Sequence, residues 1–284
     1  MRRHSALALF SIIGGLLLAL SGSGLGSPSV ALGSTPQEAG YFDFAHTGVS
    51  LPSSDKPQSK LWFNDGRWWA SLYNMTSHTY HIYWLDLAIQ DWKETIPATD
   101  LDTRAQTQAD ILWDNTAKKL YIVSGGTSLD AWFMRYSYNP ATKTYSRDFN
   151  PVVVRSGGGE TIVLDKDSTG KLWVTYTQGN QVYVNRSTTS DATWGPRFAI
   201  PGAAMLAQDD ISSIIAYKDQ NGSSIGVLWS NHNAPSSMLF SYHKDGDPDT
   251  TWRPIETIYS STCAADDHIN LKSLQADASG AIYA

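Results

Sequence analysis

The sequence predicts an all-β fold, a β-propeller built from four-stranded antiparallel blades. The first observation is the stretch from Gly157 to Ile200, where four short apolar or alternating runs are separated by Gly, Asn, Asp and Ser. Runs of this length that are rich in Val, Ile, Tyr, Trp and Thr favour antiparallel strands over helices. The second observation is that the same unit recurs about every 52 residues, a period typical of propeller blades.

The repeat is clearest in the second strand of each unit. The aligned positions in that strand are Trp68, Leu120, Leu172, Ile225 and Ile282. An aromatic residue opens the fourth strand in the same way, at Trp92, Tyr145, Trp194 and Trp252. Because a blade can bury its faces only against neighbouring blades, this double repetition predicts a ring of blades.

Four complete blades and the start of a fifth can be placed along the chain. They cover residues 60–99, 109–155, 157–200 and 211–259, and the fifth begins at Ile269. The sequence stops at Ala284, inside the second strand of the fifth blade. Since natural domains rarely end in mid-strand, we expect a truncated ring of six or seven blades, the alternative being four blades that close alone.

Residues 1–31 have the composition of a secretory signal peptide, with a basic start, an apolar core over residues 6–20 and small residues up to Ser29-Val30-Ala31. We therefore expect a mature chain that begins near Leu32 and is secreted or displayed at the cell surface. An uncleaved anchor is the alternative, but spans usually need about 20 apolar residues, and two adjacent glycines interrupt this core.

Residues 32–57 lead into the propeller, which is predicted over residues 58–284. Within this segment, Tyr41-Phe42-Asp43-Phe44 is a candidate strand that closes the ring by completing the last blade.

The charge of the chain limits its possible partners, and its cysteine content limits its possible disulfides. The formal net charge is −6 and no basic run follows the leader, which argues against nucleic acid or an anionic membrane as the partner. Cys263 is the only cysteine, so the chain cannot form an internal disulfide. We interpret it as a small residue in a loop between blades.

Charged residues recur in the segments that link successive blades, and in a propeller these segments converge on one rim of the central channel. The candidate ligand-binding residues of this rim are Lys60, Arg104, Asp110, Arg155, Glu160, Asp209, Asp210, Asp266, Asp267, His268 and Lys272. Grouped carboxylates can bind a cation or a polyol, or act as an acid/base pair. The alternative is structural, with each carboxylate capping its own turn or pairing with a neighbouring Arg or Lys.

The turn before the fourth strand carries a second repeated pattern, at residues 187–194 and 245–252. Its residue pattern resembles the Asp-box, Ser-x-Asp-x-Gly-x-x-Trp, of BNR-repeat propellers of the sialidase-like superfamily. The resemblance implies a structural turn that is remote from any active site. The chain has no Arg-Ile-Pro sequence, which sialidases of this kind carry, and its repeats look more like uncharacterised secreted bacterial propeller modules.

The same turn in blade four allows a calcium interpretation. Asp245, Asp247, Asp249 and Glu256 stand at positions 1, 3, 5 and 12 of a calcium-loop spacing. A solvated hairpin is the alternative, because Thr250 occupies the position where that loop needs Gly. Calcium is thus the one candidate cofactor.

These observations predict a non-catalytic extracellular recognition or scaffold module whose rim binds a glycan or an extracellular protein. The alternative function is a glycan-active hydrolase or lyase that uses two rim carboxylates as acid and base. For the first function, we expect Asp110→Asn combined with Asp267→Asn to weaken glycan binding and leave the fold intact.

Overall fold

Alternating strands and tight turns build the whole described part of this chain. The computed structural model describes residues 56–233, 235–261, 268–273 and 279–284. Their strands form four antiparallel sheets and one further strand pair, which confirms the predicted all-β propeller fold. These residues include no helix that is long and apolar enough to cross a membrane. The candidate closing strand at residues 41–44 lies outside the described residues.

Each sheet is one blade, and its strands follow one another in chain order. Blade one contains β1 (Leu61–Asn64), β2 (Arg67–Asn74), β3 (Thr79–Asp86), β4 (Asp91–Glu94) and β5 (Asp100–Asp102). Blade two contains β6 (Gln108–Asp114), β7 (Lys119–Gly126), β8 (Leu129–Asn139), β9 (Thr144–Arg147) and β10 (Val152–Arg155).

The remaining strands follow the same plan. Blade three contains β11 (Val163–Lys166), β12 (Leu172–Gln178), β13 (Gln181–Ser190), β14 (Thr193–Trp194) and β15 (Phe198–Ala204). Blade four contains β16 (Ser212–Asp219), β17 (Gly222–Asn231), β18 (Ser236–Lys244) and β19 (Glu256–Ser261). The described part of the fifth repeat contains the paired strands β20 (Lys272–Ser273) and β21 (Ile282–Tyr283). The residues aligned in the second strands of the repeats lie in β2, β7, β12, β17 and β21, as predicted.

The fourth strand differs from the prediction, because blades one to three split it into two short strands. Both pieces pair with the third strand of their blade, as β14 and β15 do with β13. Pro97, Pro151 and Pro196 lie between the two pieces in successive blades. Proline has no backbone N–H to donate to the ladder, so it interrupts the strand at this edge. In blade four, Trp252 precedes β19 instead of opening it.

Apolar side chains fill the spaces between successive blades. Side chains in a strand point alternately to opposite faces, so Leu120 and Ile122 of β7 pack toward blade one, whereas Tyr121 and Val123 pack toward blade three. Comparable clusters lie between blades three and four and between blade four and the fifth repeat. This packing joins the repeats into one core that continues from blade to blade.

Blade one leaves part of its other face open. Leu61 is 52% exposed, although the structurally equivalent Ile111, Leu164 and Ile214 are 3–5% exposed. Trp68 is 45% exposed, whereas the equivalent positions of the next three blades are completely buried. Two core positions of the repeat are therefore exposed in blade one alone among these four blades.

Ion pairs tie the outer turns of blades three and four to the third strand of the preceding blade. Arg135 of β8 donates to Asp191 at 2.8 Å, and Arg186 of β13 donates to Asp249 at 2.7 Å. A tryptophan three residues after each aspartate donates its indole N–H to that aspartate's carbonyl oxygen. These are the turns that resemble an Asp-box, and their carboxylates join two blades.

Asp249 pairs with Lys171 and Arg186, and we call this group the Asp249 clamp. Its removal should cause a measurable loss of stability. Burial opposes ionisation of Asp249, but hydrogen bonds from Lys171 and Arg186 outweigh burial and lower the pKa of the carboxyl below its ordinary 3.8. Asp249→Asn should therefore lower the free energy of unfolding at neutral pH by about 1–3 kcal/mol. Because a lowered pKa stabilises the fold above the unfolded value, the difference from wild type should shrink as the pH falls through the lowered pKa.

Urea unfolding at several pH values measures this effect, with Asp247→Asn as the matched control. Asp247 lies in the same turn and pairs with the partly exposed Arg253, an interaction worth about 0–1 kcal/mol. Equal losses in the two variants would contradict the assignment of the clamp to Asp249.

Candidate functional site

The inner strand of each of the four blades has one edge without a neighbouring strand, and in blades one, three and four a carboxylate accepts a backbone amide at or beside that edge. Asp110 of β6 is 3% exposed. Its Oδ1 accepts the amide of Ser59 at 2.7 Å, and its Oδ2 accepts the amide of Leu164 at 2.8 Å. One carboxylate therefore joins the inner segments of blades one, two and three.

The same contact recurs at a residue that the sequence analysis did not select. Asp165 of β11 accepts the amide of Ala216 in β16 through Oδ2 at 2.6 Å. This contact joins blade three to blade four. A buried backbone N–H needs a partner, and a carboxylate that approaches from the neighbouring blade supplies one.

Inner segments from five successive repeats surround one central cavity of about 170 Å³. Gln58, Asp110, Asp165, Ser213 and Asn270 are polar residues of its wall, one from each repeat. Gln58 donates across it to the carbonyl of Ile162 at 3.2 Å. The channel is thus narrow, and Gln58 and Asp110 of its wall bind main-chain groups of other segments. The predicted ring of six or seven blades stays a prediction.

A larger cavity, of about 630 Å³, opens at the rim where the linking segments meet, and we call it the rim cavity. Its wall comes from the β10–β11 link, the β12–β13 turn, the β15–β16 link and Thr127. Gly179 and Asn180 both have positive φ, as a two-residue hairpin turn requires, and this tight turn leaves the cavity open. Two predicted rim residues, Glu160 and Asp209, lie on this wall.

Glycines let the main chain of the rim cavity lie against Arg155. A Cβ added at Gly159 would stand 2.6 Å from Nη1 of Arg155, and one at Gly158 would overlap the carbonyl of Thr127. Arg155 is 1% exposed and donates to four backbone carbonyls, among them that of Thr161 at 3.1 Å. Burial lowers the pKa of Arg155 to about 10. The predicted rim arginine therefore supports the loops from below and is buried away from a ligand.

The two carboxylates on the rim wall differ in their surroundings. Glu160 forms an ion pair with Lys56 at 2.6 Å and is partly buried. The Asp209 side chain is 65% exposed. Asp210, next to it, is fully buried and accepts the amides of Ala207 and His232. Asp209 is thus available to a ligand, whereas Asp210 holds the link in place.

The other predicted rim residues are spread around the rim. Arg104 pairs with Asp102 at 2.8 Å and stacks on Trp132, with its guanidinium carbon 3.5 Å from the ring centroid. Lys60 donates to nearby backbone carbonyls. His268 is exposed before the buried Ile269. Asp266 and Asp267 lie outside the described residues, as does the side chain of Lys272.

The four candidate calcium ligands do not come together. Asp245 accepts both donors of Ser168, at 2.9 and 2.6 Å, whereas Asp247 and Asp249 bind the cations already described. Glu256 opens β19 and is exposed. In the described part of the chain, no three His, Cys, Asp or Glu side chains gather as metal ligands would. The turn is therefore held by ion pairs and hydrogen bonds.

His232 is a rim residue that the sequence analysis missed. It lies between β17 and β18, its ring Nδ1 is 2.5 Å from Oδ1 of Asp210, and it is 3.9 Å from Oδ1 of Asp209. The two residues of the close pair are separated by 22 positions in the chain, and the aspartate is on the preceding link. No local motif connects them, so only their shared place at a blade end could have indicated the contact.

No protein-family model and no curated protein matches this chain. Solved structures with a similar backbone include a protein of unknown function from Dyadobacter fermentans, with 10% identity, a TM-score of 0.47 and coverage of 70% of this chain and 64% of that one. The GH43 protein BlXynB from Bacillus licheniformis has 12% identity, a TM-score of 0.44 and coverage of 73% and 42%.

The NanB sialidase from Streptococcus pneumoniae has 11% identity, a TM-score of 0.46 and coverage of 76% of this chain and 45% of that one. The chain thus spans less than two thirds of the length of each of these three proteins. At such identities and scores, no activity is transferred to this chain.

The contacts of Asp110 argue against one expectation from the sequence, that Asp110→Asn combined with Asp267→Asn leaves the fold intact. An asparagine here would place an N–H group against one of two backbone N–H donors. Leaving a buried donor unsatisfied costs about 1–3 kcal/mol, so the free energy of unfolding should fall by that amount. Urea unfolding measures the change, with the exposed Asp209→Asn as control. Equal stability of Asp110→Asn and wild type would contradict the structural role of this carboxylate.

Proposed function

We propose that this chain is a secreted, non-catalytic recognition module that binds hydroxyl-rich glycans at the rim cavity. The observation that carries the proposal is the chemistry of the cavity wall. It combines hydroxyl and amide side chains, exposed main chain at glycines and one exposed carboxylate, Asp209. Sugar hydroxyls both donate and accept, so a wall with many such groups can satisfy them.

The volume and the preformed wall of the rim cavity also support this ligand class. About 630 Å³ falls within the 300–1,000 Å³ that is usual for small-ligand sites. Its wall is held by contacts that do not involve a ligand, such as the bonds from Gln178 to the carbonyls of Ser156 and Gly158. A site that is preformed loses little conformational entropy on binding.

Recognition fits these contacts better than hydrolysis does. A glycosidase needs one carboxyl group free to donate a proton and a second one at a set distance from it. Glu160 is already held by Lys56, and Asp210 is buried under backbone amides. Export, expected from the leader, would place the rim cavity outside the cell, where a glycan or an extracellular protein could reach it.

Two exposed residues of the wall allow a direct test. Gln208 is exposed, and its side chain forms no hydrogen bond with any described residue, so Gln208→Ala with Asp209→Asn should not disturb the fold. We expect wild type to bind part of a printed panel of neutral oligosaccharides, and the double variant to bind about tenfold more weakly, as the loss of about 1.4 kcal/mol implies.

Gln220→Ala is the matched control, because Gln220 is exposed in the β16–β17 turn at the opposite end of blade four. It should bind as wild type does. No binding by wild type, or equal binding by the double variant, would overturn the proposal. Release of reducing sugar from the oligosaccharides by wild type would favour the hydrolase instead.

A further inference from the structure

The buried Asp210 and the partly buried His232 form a pair beside the wall of the rim cavity. Asp210 is 0% exposed and belongs to the β15–β16 link, whereas His232 follows β17. The carboxylate accepts the amide of Ala207 at 2.6 Å, the amide of His232 at 3.1 Å and ring Nδ1 of His232 at 2.5 Å. Three donors therefore surround one carboxylate, which offsets the cost of burying its charge.

This arrangement determines which ring nitrogen carries the proton. An ionised carboxylate can only accept, so Nδ1 of His232 must be the protonated nitrogen. In the neutral imidazole, Nε2 is then a hydrogen-bond acceptor. Nε2 has no hydrogen-bond partner among the described residues, and the side chain is 21% exposed. The buried carboxylate thus fixes the tautomer, and the partly exposed ring keeps an acceptor that the described residues do not use.

The pair lies next to the wall that Ala207, Gln208 and Asp209 form. Nδ1 of His232 is 3.9 Å from Oδ1 of Asp209. Asn233 donates to the carbonyl of Met205 at 2.5 Å, so the turn after β17 is attached to the β15–β16 link at a second point. The imidazole is therefore held next to Asp209, just beyond the residues that line the rim cavity.

We propose that Nε2 of His232 accepts a hydrogen bond from a ligand hydroxyl at the Asp209 edge of the rim cavity, and that Asp210 is a positioning residue which fixes the ring. This inference rests on the proposed function, because it names one contact of that site. It also limits the ligand to one that presents a hydroxyl donor to an imidazole beside the Asp209 carboxylate. Vicinal sugar hydroxyls provide two neighbouring donors of this kind.

Two substitutions separate the structural contact of the ring from its ligand contact. Asparagine at position 232 places an amide N–H near the position of Nδ1, so His232→Asn keeps the donor to Asp210 and removes the outer acceptor. Glutamine reaches the position of Nε2, so His232→Gln keeps an outer acceptor and loses the donor to Asp210. The two variants should therefore differ in opposite ways.

The experiment uses the full chain and the same panel of neutral oligosaccharides. For His232→Asn, we expect an unchanged melting temperature and binding weakened by about fivefold to tenfold, the value of one hydrogen bond. His232→Gln should melt at a lower temperature and, while folded, bind more tightly than His232→Asn. Nitrogen-15 NMR of the ligand-free protein should show the tautomer with hydrogen on Nδ1.

Each contrary result has a distinct meaning. Equal binding by wild type and His232→Asn, or a tautomer with hydrogen on Nε2, would overturn the role of His232 and leave the glycan site standing. The absence of wild-type binding to every oligosaccharide would overturn the proposed function and this inference with it.

Discussion

Carboxylates that accept backbone amides across the blade boundary are the contacts on which this structure depends. The first strand of every sheet has a free edge toward the channel, and an unpaired N–H there costs about 1–3 kcal/mol when it is buried. Asp110 meets two such groups, on the blades before and after its own, and Asp165 meets one on the next blade. The inner ends of the blades are thereby joined without direct strand pairing.

Buried residues support the candidate site, whereas different, exposed residues form its binding surface. Charged groups such as Asp110, Asp210 and Arg155 are buried, and main-chain groups are among their hydrogen-bond partners. The surface above them is left with exposed residues such as Asp209 and with glycine main chain. Rim residues can therefore be changed with little effect on the fold, whereas the buried ones cannot.

The repeated strands could be predicted because their signal is local and recurs in each blade. Trp68 and Leu172 stand at the same place in two blades, and both lie in second strands as expected. The split fourth strand was missed although its cause is visible, since a proline such as Pro196 interrupts each one. Convergence of the linking segments was also predictable, and it brings Glu160 and Asp209 to one cavity.

Burial and partnership within the rim could not be predicted in the same way. Asp209 and Asp210 are adjacent and chemically identical, yet one is largely exposed and the other is fully buried. Both residues lie in the link between β15 and β16, where no strand alternation assigns a direction to a side chain, and only the packed blades decide which carboxylate is buried. The contact between Asp210 and His232 depends on two different chain segments, so no spacing rule reveals it.

Amide hydrogen exchange tests the central claim most directly, because it reports on the individual N–H groups that the carboxylates bind. In wild type, the amides of Leu164 and Ala216 should both exchange slowly. Asp110→Asn should speed exchange at Leu164 more than at Ala216, and Asp165→Asn should do the reverse. Unchanged exchange at both amides in both variants would show that these carboxylates do not join the blades.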